Sequence, residues 1–199
     1  MNRQEAILEA ALGLFAEQRT LEAITIRAIC ARADASTGSV YHHFGDRAAI
    51  LLALYQRVFE AGVFPVILGA LRAANDAERG IRECVRAYLV WVEAHAVEAR
   101  FIYAASGSPE MDSGANEIMA MKMRFLQEVA QWLEPHVQSG NVRRLPVWAL
   151  DPVLFGAVHE VCRRWLAGAP IPLSDAKELL ESVAWRAIAP EPAIRRSMK

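Results

Sequence analysis

Apolar positions recur three and four residues apart along almost the whole chain, a spacing that lines them up on one face of an α-helix and predicts an all-α fold. The first helix runs from about Arg3 to Glu17, with Ile7, Leu8, Ala11, Leu12 and Phe15 as its inner stripe. Behind Thr25, whose hydroxyl suits a helix N-cap, Ile26, Ile29, Cys30 and Ala33 mark a second helix over roughly Ile26 to Arg32. Asp34-Ala35 follows as a turn, and Ser36 is placed to cap a third helix carrying Thr37, Gly38, Ser39, Val40 and Tyr41. Two short helices around a tight turn make a helix-turn-helix, with the first helix as its roof.

Beyond Arg47, the residues Ile50, Leu51, Leu54, Tyr55, Val58 and Phe59 predict a longer helix starting behind Gly45-Asp46. It meets Gly62 and then Pro65, which either kinks it or ends it. Asn75-Asp76 marks a break, after which Ile81, Cys84, Val85, Tyr88, Leu89 and Val92 predict a helix of about eighteen residues. A short helix through Phe101-Ile102-Tyr103 and a loop at Ser106-Gly107-Ser108-Pro109 come next. From about Ser113 to His136 another helix carries Ile118, Met119, Met123, Leu126, Val129, Ala130 and Leu133 on its apolar side, closed by Pro135 and Ser139-Gly140-Asn141. Asp151-Pro152 reads as an N-cap before a proline at the first helical position, heading a helix with Leu154, Phe155, Val158, Val161, Trp165 and Leu166. Ser174-Asp175 caps a last helix to about Ile188, which Ala189-Pro190-Glu191-Pro192 stops.

In a helix-turn-helix the second helix lies in the major groove, so its exposed residues should be small and polar, or aromatic. Thr37, Ser39, Tyr41 and His42 fit that description, while Val40 and Phe44 turn inward. Gly38 leaves room for a phosphate at the helix N-terminus, where backbone N–H groups and the dipole favour an anion. Arg47 adds a forked cation suited to another phosphate.

The run Thr25-Ile26-Arg27, then Ser36-Thr37-Gly38-Ser39-Val40-Tyr41-His42-His43-Phe44 and Arg47, behind a helix with Phe15, resembles the N-terminal DNA-binding domain of the TetR/AcrR family. Three departures stand out. Asp34 replaces the usual turn glycine, Arg47-Ala48 replaces the usual Lys-Glu, and Gln18-Arg19-Thr20-Leu21 lacks the usual glycine after the first helix. The resemblance implies DNA contacts at Thr25, Arg27, Ser36, Thr37, Gly38, Ser39, Tyr41, His42, His43 and Arg47. It also implies an N-terminal head over residues 1–47 and a helical ligand-binding and dimerisation body over 48–190; residues 191–199, ending in Arg195-Arg196-Ser197-Met198-Lys199, read as a disordered basic tail. The helix after Arg47 would join head to body. The last two helices, apolar around much of their circumference at Leu179, Leu180, Val183, Ala184, Trp185, Ala187 and Ile188, would form the dimer interface. Burial of the same pair in a monomer's core is the competing reading.

Composition adds little to this picture. The chain has 199 residues, 54% hydrophobic, enough for a substantial core, and a formal net charge of −1 that gives no electrostatic argument for nucleic acid. Residues 1–50 hold five arginines against six acids, so a dimer should show a shallow salt dependence of DNA binding. Residues 1–5 lead straight into an amphipathic helix with no targeting signal, and no apolar run looks long enough to span a bilayer, so a cytoplasmic protein is expected. Cys30, Cys84 and Cys162 are far apart and in no C-x-x-C pair; buried thiols are the first reading and a redox sensor the second.

His42-His43 is the one adjacent histidine pair, but neighbouring helical residues point away from each other and cannot share a metal. No nucleophile elbow, phosphate loop or zinc-protease motif appears, so neither an enzyme nor a cofactor is expected. Trp91, His95, Phe101, Tyr103, Met111, Met119, Met123, Phe125 and Trp132 give the aromatic and thioether surface of a pocket for a small apolar or amphipathic effector. The expectation is a dimeric, effector-responsive regulator, most simply a repressor on a palindromic double-stranded operator. An activator, an effector-independent regulator, or a helical small-molecule binder without DNA recognition are the alternatives.

Overall fold

A computed structural model describes residues 2–190, and among them the chain forms ten α-helices. The first four are α1 (Arg3–Gln18), α2 (Ile26–Ala33), α3 (Thr37–Phe44) and α4 (Arg47–Arg57). Each begins on a polar cap. The side chains of Asn2, Thr25, Ser36 and Asp46 accept from the backbone N–H groups of Glu5, Ala28, Ser39 and Ala49 respectively. Asp34 ends α2 in the left-handed region at φ 47°, the conformation for which glycine is the common choice and Asp a tolerated one. Arg3 reinforces that turn from α1, donating to the carbonyls of Ala33 and Asp34. Arg19 ends α1 in the same left-handed region, φ 57°, so the turn lacking the family's glycine forms all the same.

The helix begun at Arg47 does not end at Pro65. It runs on through a widened π turn, Val58–Val63, into α5 (Phe64–Ala73). Phe64 N–H bonds the Phe59 carbonyl five residues back, and Pro65, with no N–H to place, follows directly. The buried stripe shows the effect: Ile50, Leu54 and Val58 step by four, the next buried position is Val63, and Ile67 and Leu71 resume the step of four. The π turn absorbs one extra residue and keeps one face inward. The whole stretch Arg47–Ala73 is long and apolar enough to cross a membrane by length and composition, contrary to the reading of the sequence. Its inward stripe is packed into the core of this fold, which accounts for the apolarity.

The remaining helices are α6 (Ala77–Ala94), α7 (Ala96–Ala105), α8 (Ala115–Gln138), α9 (Val147–Leu166) and α10 (Leu173–Ile188). Pro109 opens a 3-10 turn, Pro109–Gly114, that delays the start of α8 to Ala115 and puts Met111 in the core. Pro135 lies inside α8 rather than closing it. The expected cap at Asp151-Pro152 is also inside a helix: α9 begins at Val147, behind the extended Pro146, because its first turn already places Ala149 and Leu150 in the core. Pro152 comes early enough that only the Trp148 carbonyl, on the exposed side, loses a partner. Likewise α10 starts at Leu173, which is buried, so Ser174 and Asp175 sit in its first turn.

α1 is held both to the rest of the fold and to α4. Phe15 of α1 meets Phe101 of α7 edge to face at 5.5 Å, and Arg57 at the end of α4 bonds Glu5 and Glu9 of α1 at 2.7 Å each. The predicted tail, with its Arg195, Arg196 and Lys199, lies outside the described residues.

Candidate functional site

The exposed surface of α3 carries Thr37, Gly38, Tyr41 and His42, with Ser39 and His43 half-buried at its margins. Tyr41 is 51% exposed although it is a large aromatic on an eight-residue helix, and it has no packing role to explain its position. Nothing lies within 4 Å of where a Gly38 side chain would begin, so the helix N-terminus is open to an anion. Val40 is fully buried and locks α3 in place, as its spacing predicts. The His42 and His43 rings meet edge to face at 5.3 Å. Thr25 and Ser36 act as caps through their hydroxyls, and Arg27 is exposed on α2 beside them.

Arg47 departs from its expected place. Its Nε and one terminal nitrogen donate to the carbonyls of Ile24 and Leu21, each at 2.6 Å, and the guanidinium is half-buried. Those carbonyls belong to the 3-10 turn Leu21–Ala23 and its end, whose acceptors have no helix to continue into. Two of its donors therefore brace the loop before α2, and its remaining terminal nitrogen lies 3.9 Å from a carboxylate oxygen of Glu110.

A second site opens in the body. A cavity of about 400 Å³ is lined by Phe59 of the π turn, Tyr88 of α6, Ile102 and Tyr103 of α7, Lys122 of α8, and Asp151, Gly156 and His159 of α9. One wall is a hydrogen-bonded series. Asp151 Oδ1 lies 3.4 Å from His159 Nε2, His159 Nδ1 lies 3.1 Å from the Tyr103 hydroxyl, and that hydroxyl lies 2.9 Å from the Tyr88 hydroxyl. Burial alone would raise the Asp151 carboxyl, but the bond and charge of His159 and the charge of Lys122 outweigh it and hold the group below its ordinary range. Burial pushes both tyrosine hydroxyls well above the usual phenol range. Phe59 and Ile102 add apolar surface to the lining and Ser106, Glu160 and Arg163 add polar groups, and Lys122 Nζ stands 5.3 Å from the Phe59 ring centroid. The cavity thus offers an apolar body site with a fixed set of hydroxyl, imidazole and ammonium partners, as small-molecule sites generally do.

Of the nine residues expected to line a pocket, only Tyr103 lines this cavity. Trp91 stacks on His95 at 5.3 Å and fills the space over Gly62. Phe101 is core at the α1 contact, and Trp132 lies on Gly80 and against His136. Met119 is exposed, and Met123 is half-buried core. The residues missed, Tyr88, Lys122, Asp151 and His159, were hidden by a search for apolar surface. The available signal was the opposite one: a Tyr and a His embedded in otherwise aliphatic stripes. Cys84 and Cys162 are buried, and burial pushes each thiol up to about 12, the reverse of what a redox sensor needs.

Residues 7–54 match the family described as bacterial regulatory proteins, tetR family. Over 80% of its length the chain is 23% identical to an HTH-type transcriptional regulator of Mycobacterium tuberculosis, of which the match covers 67%. The fold is similar to that of a TetR family transcription regulator from Marinobacter aquaeolei VT8, with a TM-score of 0.73, 21% identity, and 94% and 96% of the two chains covered. It is similar also to the transcriptional regulator FadR from Bacillus subtilis in complex with stearoyl-CoA, with a TM-score of 0.75, 17% identity, and 92% and 98% covered.

Proposed function

Since residues 7–54 match the TetR family of bacterial regulatory proteins, we propose that the chain is a dimeric repressor of that family, released from its operator by a small amphipathic effector. The observation that carries the reading is Phe59. It lines the cavity and sits in the π turn of the same continuous helix whose other end, at Asp46, follows directly on α3. An effector that displaces Phe59 acts on the helix bearing the DNA-contacting head. Release requires only that the effector bind one arrangement of the heads better than the other, and its effect cannot exceed that difference.

Dimerisation is supported by Trp148 of α9, 69% exposed, together with the exposed Leu179 and Val183 of α10. These are large apolar groups with nothing over them in a single chain, on the two helices whose patterning suggested a partner. Two-fold symmetry would set the recognition helices about 34 Å apart, one turn of DNA, and make the operator palindromic. The B. subtilis FadR complex makes an acyl thioester one class of effector to try. The effector expected here has an apolar body and at least one hydrogen-bonding group, to meet the tyrosine–histidine wall.

Fluorescence anisotropy on DNA from the protein's own promoter region, over non-specific competitor and at two salt concentrations, tests the reading. Specific binding with a shallow salt slope is expected, because residues 1–50 hold only five arginines against six acids. Tyr41→Ala should weaken specific binding by about 1–3 kcal/mol, roughly 5- to 150-fold, with no change in thermal stability. Equal binding of promoter and unrelated DNA, or an unaffected Tyr41→Ala variant, would overturn the assignment.

A further inference from the structure

Beside the effector cavity lies a second opening of about 380 Å³, lined by Phe15 and Arg19 of the α1 end, Arg100, Tyr103 and Ala104 of α7, and Arg163 and Leu166 of α9. Tyr103 and Arg163 line both openings, so the two are neighbours on either side of one pair of side chains. Three arginines face this cleft. Arg163 is paired with Glu160 at 2.9 Å, but neither Arg19 nor Arg100 has a carboxylate within 4.0 Å among the described residues. No acidic residue lines the cleft. Arg100 is also set in place: its Nε donates to the Leu166 carbonyl at the end of α9, 3.1 Å away, which leaves its terminal nitrogens for something else.

We infer that the Arg19–Arg100–Arg163 cleft receives a phosphate or diphosphate group of the effector whose less polar part occupies the adjoining cavity. The inference rests on the proposed effector site for its second half only. Guanidinium groups suit phosphate because their planar fork donates two bonds to one group, and three of them with one carboxylate partner leave an excess of positive charge at that place. The position matters as much as the charge. Arg19 belongs to the end of α1 in the DNA-binding head, whereas Arg100 and Arg163 belong to the body, so an anion held by all three fastens head to body. A ligand lacking the anion could fill the cavity without that fastening.

The test is isothermal titration of the full chain with pyrophosphate, hexanoyl-CoA and hexanoate, repeated on Arg19→Gln, Arg100→Gln and, as a control for general charge, Arg79→Gln. Expected is binding of hexanoyl-CoA at least tenfold tighter than of hexanoate, and at least a tenfold loss with Arg19→Gln or Arg100→Gln but not with Arg79→Gln. Arg19 is exposed, so its variant should fold even if removing Arg100 from the Leu166 carbonyl disturbs α9. Pyrophosphate binding that depends on Arg19, with no gain from the hexanoyl chain, supports the anion cleft and counts against the cavity as effector site. Equal binding of hexanoyl-CoA and hexanoate, unchanged binding by both variants, or no binding of either phosphate probe overturns the inference. So does a loss of operator affinity in ligand-free Arg19→Gln without a loss of pyrophosphate binding, which would make the cleft a contact for DNA phosphate.

Discussion

Arg47 shows how one side chain can be right in type and different in task. By sequence it is a cation just beyond the recognition helix; in the fold it donates to two carbonyls, at the start of a 3-10 turn and just past its end. Arg47→Ala should therefore cost stability, about 1.5–3 kcal/mol for two charge-assisted bonds at a half-buried site, readable as a lower denaturant midpoint. A variant as stable as the parent but poor at binding DNA would restore the phosphate role. The caps at Thr25, Ser36 and Asp46 were legible because a hydroxyl or carboxylate before an apolar run has one dominant use. An arginine has five donors and a long reach, so its partner depends on what the fold brings near, and sequence spacing does not record that.

Among the elements, helix positions were readable and helix starts less so. The stripes of α1, α2 and α6 follow from periodicity, whereas the onsets of α9 and α10 were displaced by Asp151-Pro152 and Ser174-Asp175, signals strong in isolation and overridden by burial of Ala149, Leu150 and Leu173. The cavity in the body was the least legible feature, because its wall is contributed by residues scattered over five separate segments. The packing of α6 on α8 illustrates the same dependence. Trp132 lies so close to Gly80 that an added Cβ would come within 2.2 Å of its ring. Gly80→Ala should then lower stability by about 1–3 kcal/mol, despite alanine's better helix propensity, since a rigid indole has to move. A rise in melting temperature for this variant would mean that Trp132 yields freely.

For the whole molecule, the buried hydroxyl wall makes a statement about alkaline stability. Tyr88 and Tyr103 keep their protons in the folded state at pH values where unfolded tyrosines, ordinarily near 10.0, have lost them. The folded state then binds more protons than the unfolded one, so stability is fully present below about pH 10 and falls as pH rises beyond it. Denaturation at pH 8 to 11 should show that decline, and Tyr103→Phe should flatten it. A decline of the same slope in Tyr103→Phe and the parent would place its cause elsewhere.

The π turn at Val58–Val63 has an evolutionary and mechanical reading beyond its place in the cavity wall. A stripe that steps four, four, five, four, four is the mark of a helix one residue longer than its packing needs, so the turn behaves as a tolerated insertion. Removing a single residue there, the exposed Ala61, would close the ladder into regular α-helix while returning both ends of the stripe to the same phase. Such a variant is expected to stay folded and bind its operator, yet to lose most of its response to effector, because Phe59 no longer has a loosened turn in which to shift. If the shortened helix still released DNA on effector addition, the surplus residue would be a passenger and the coupling would run through other contacts.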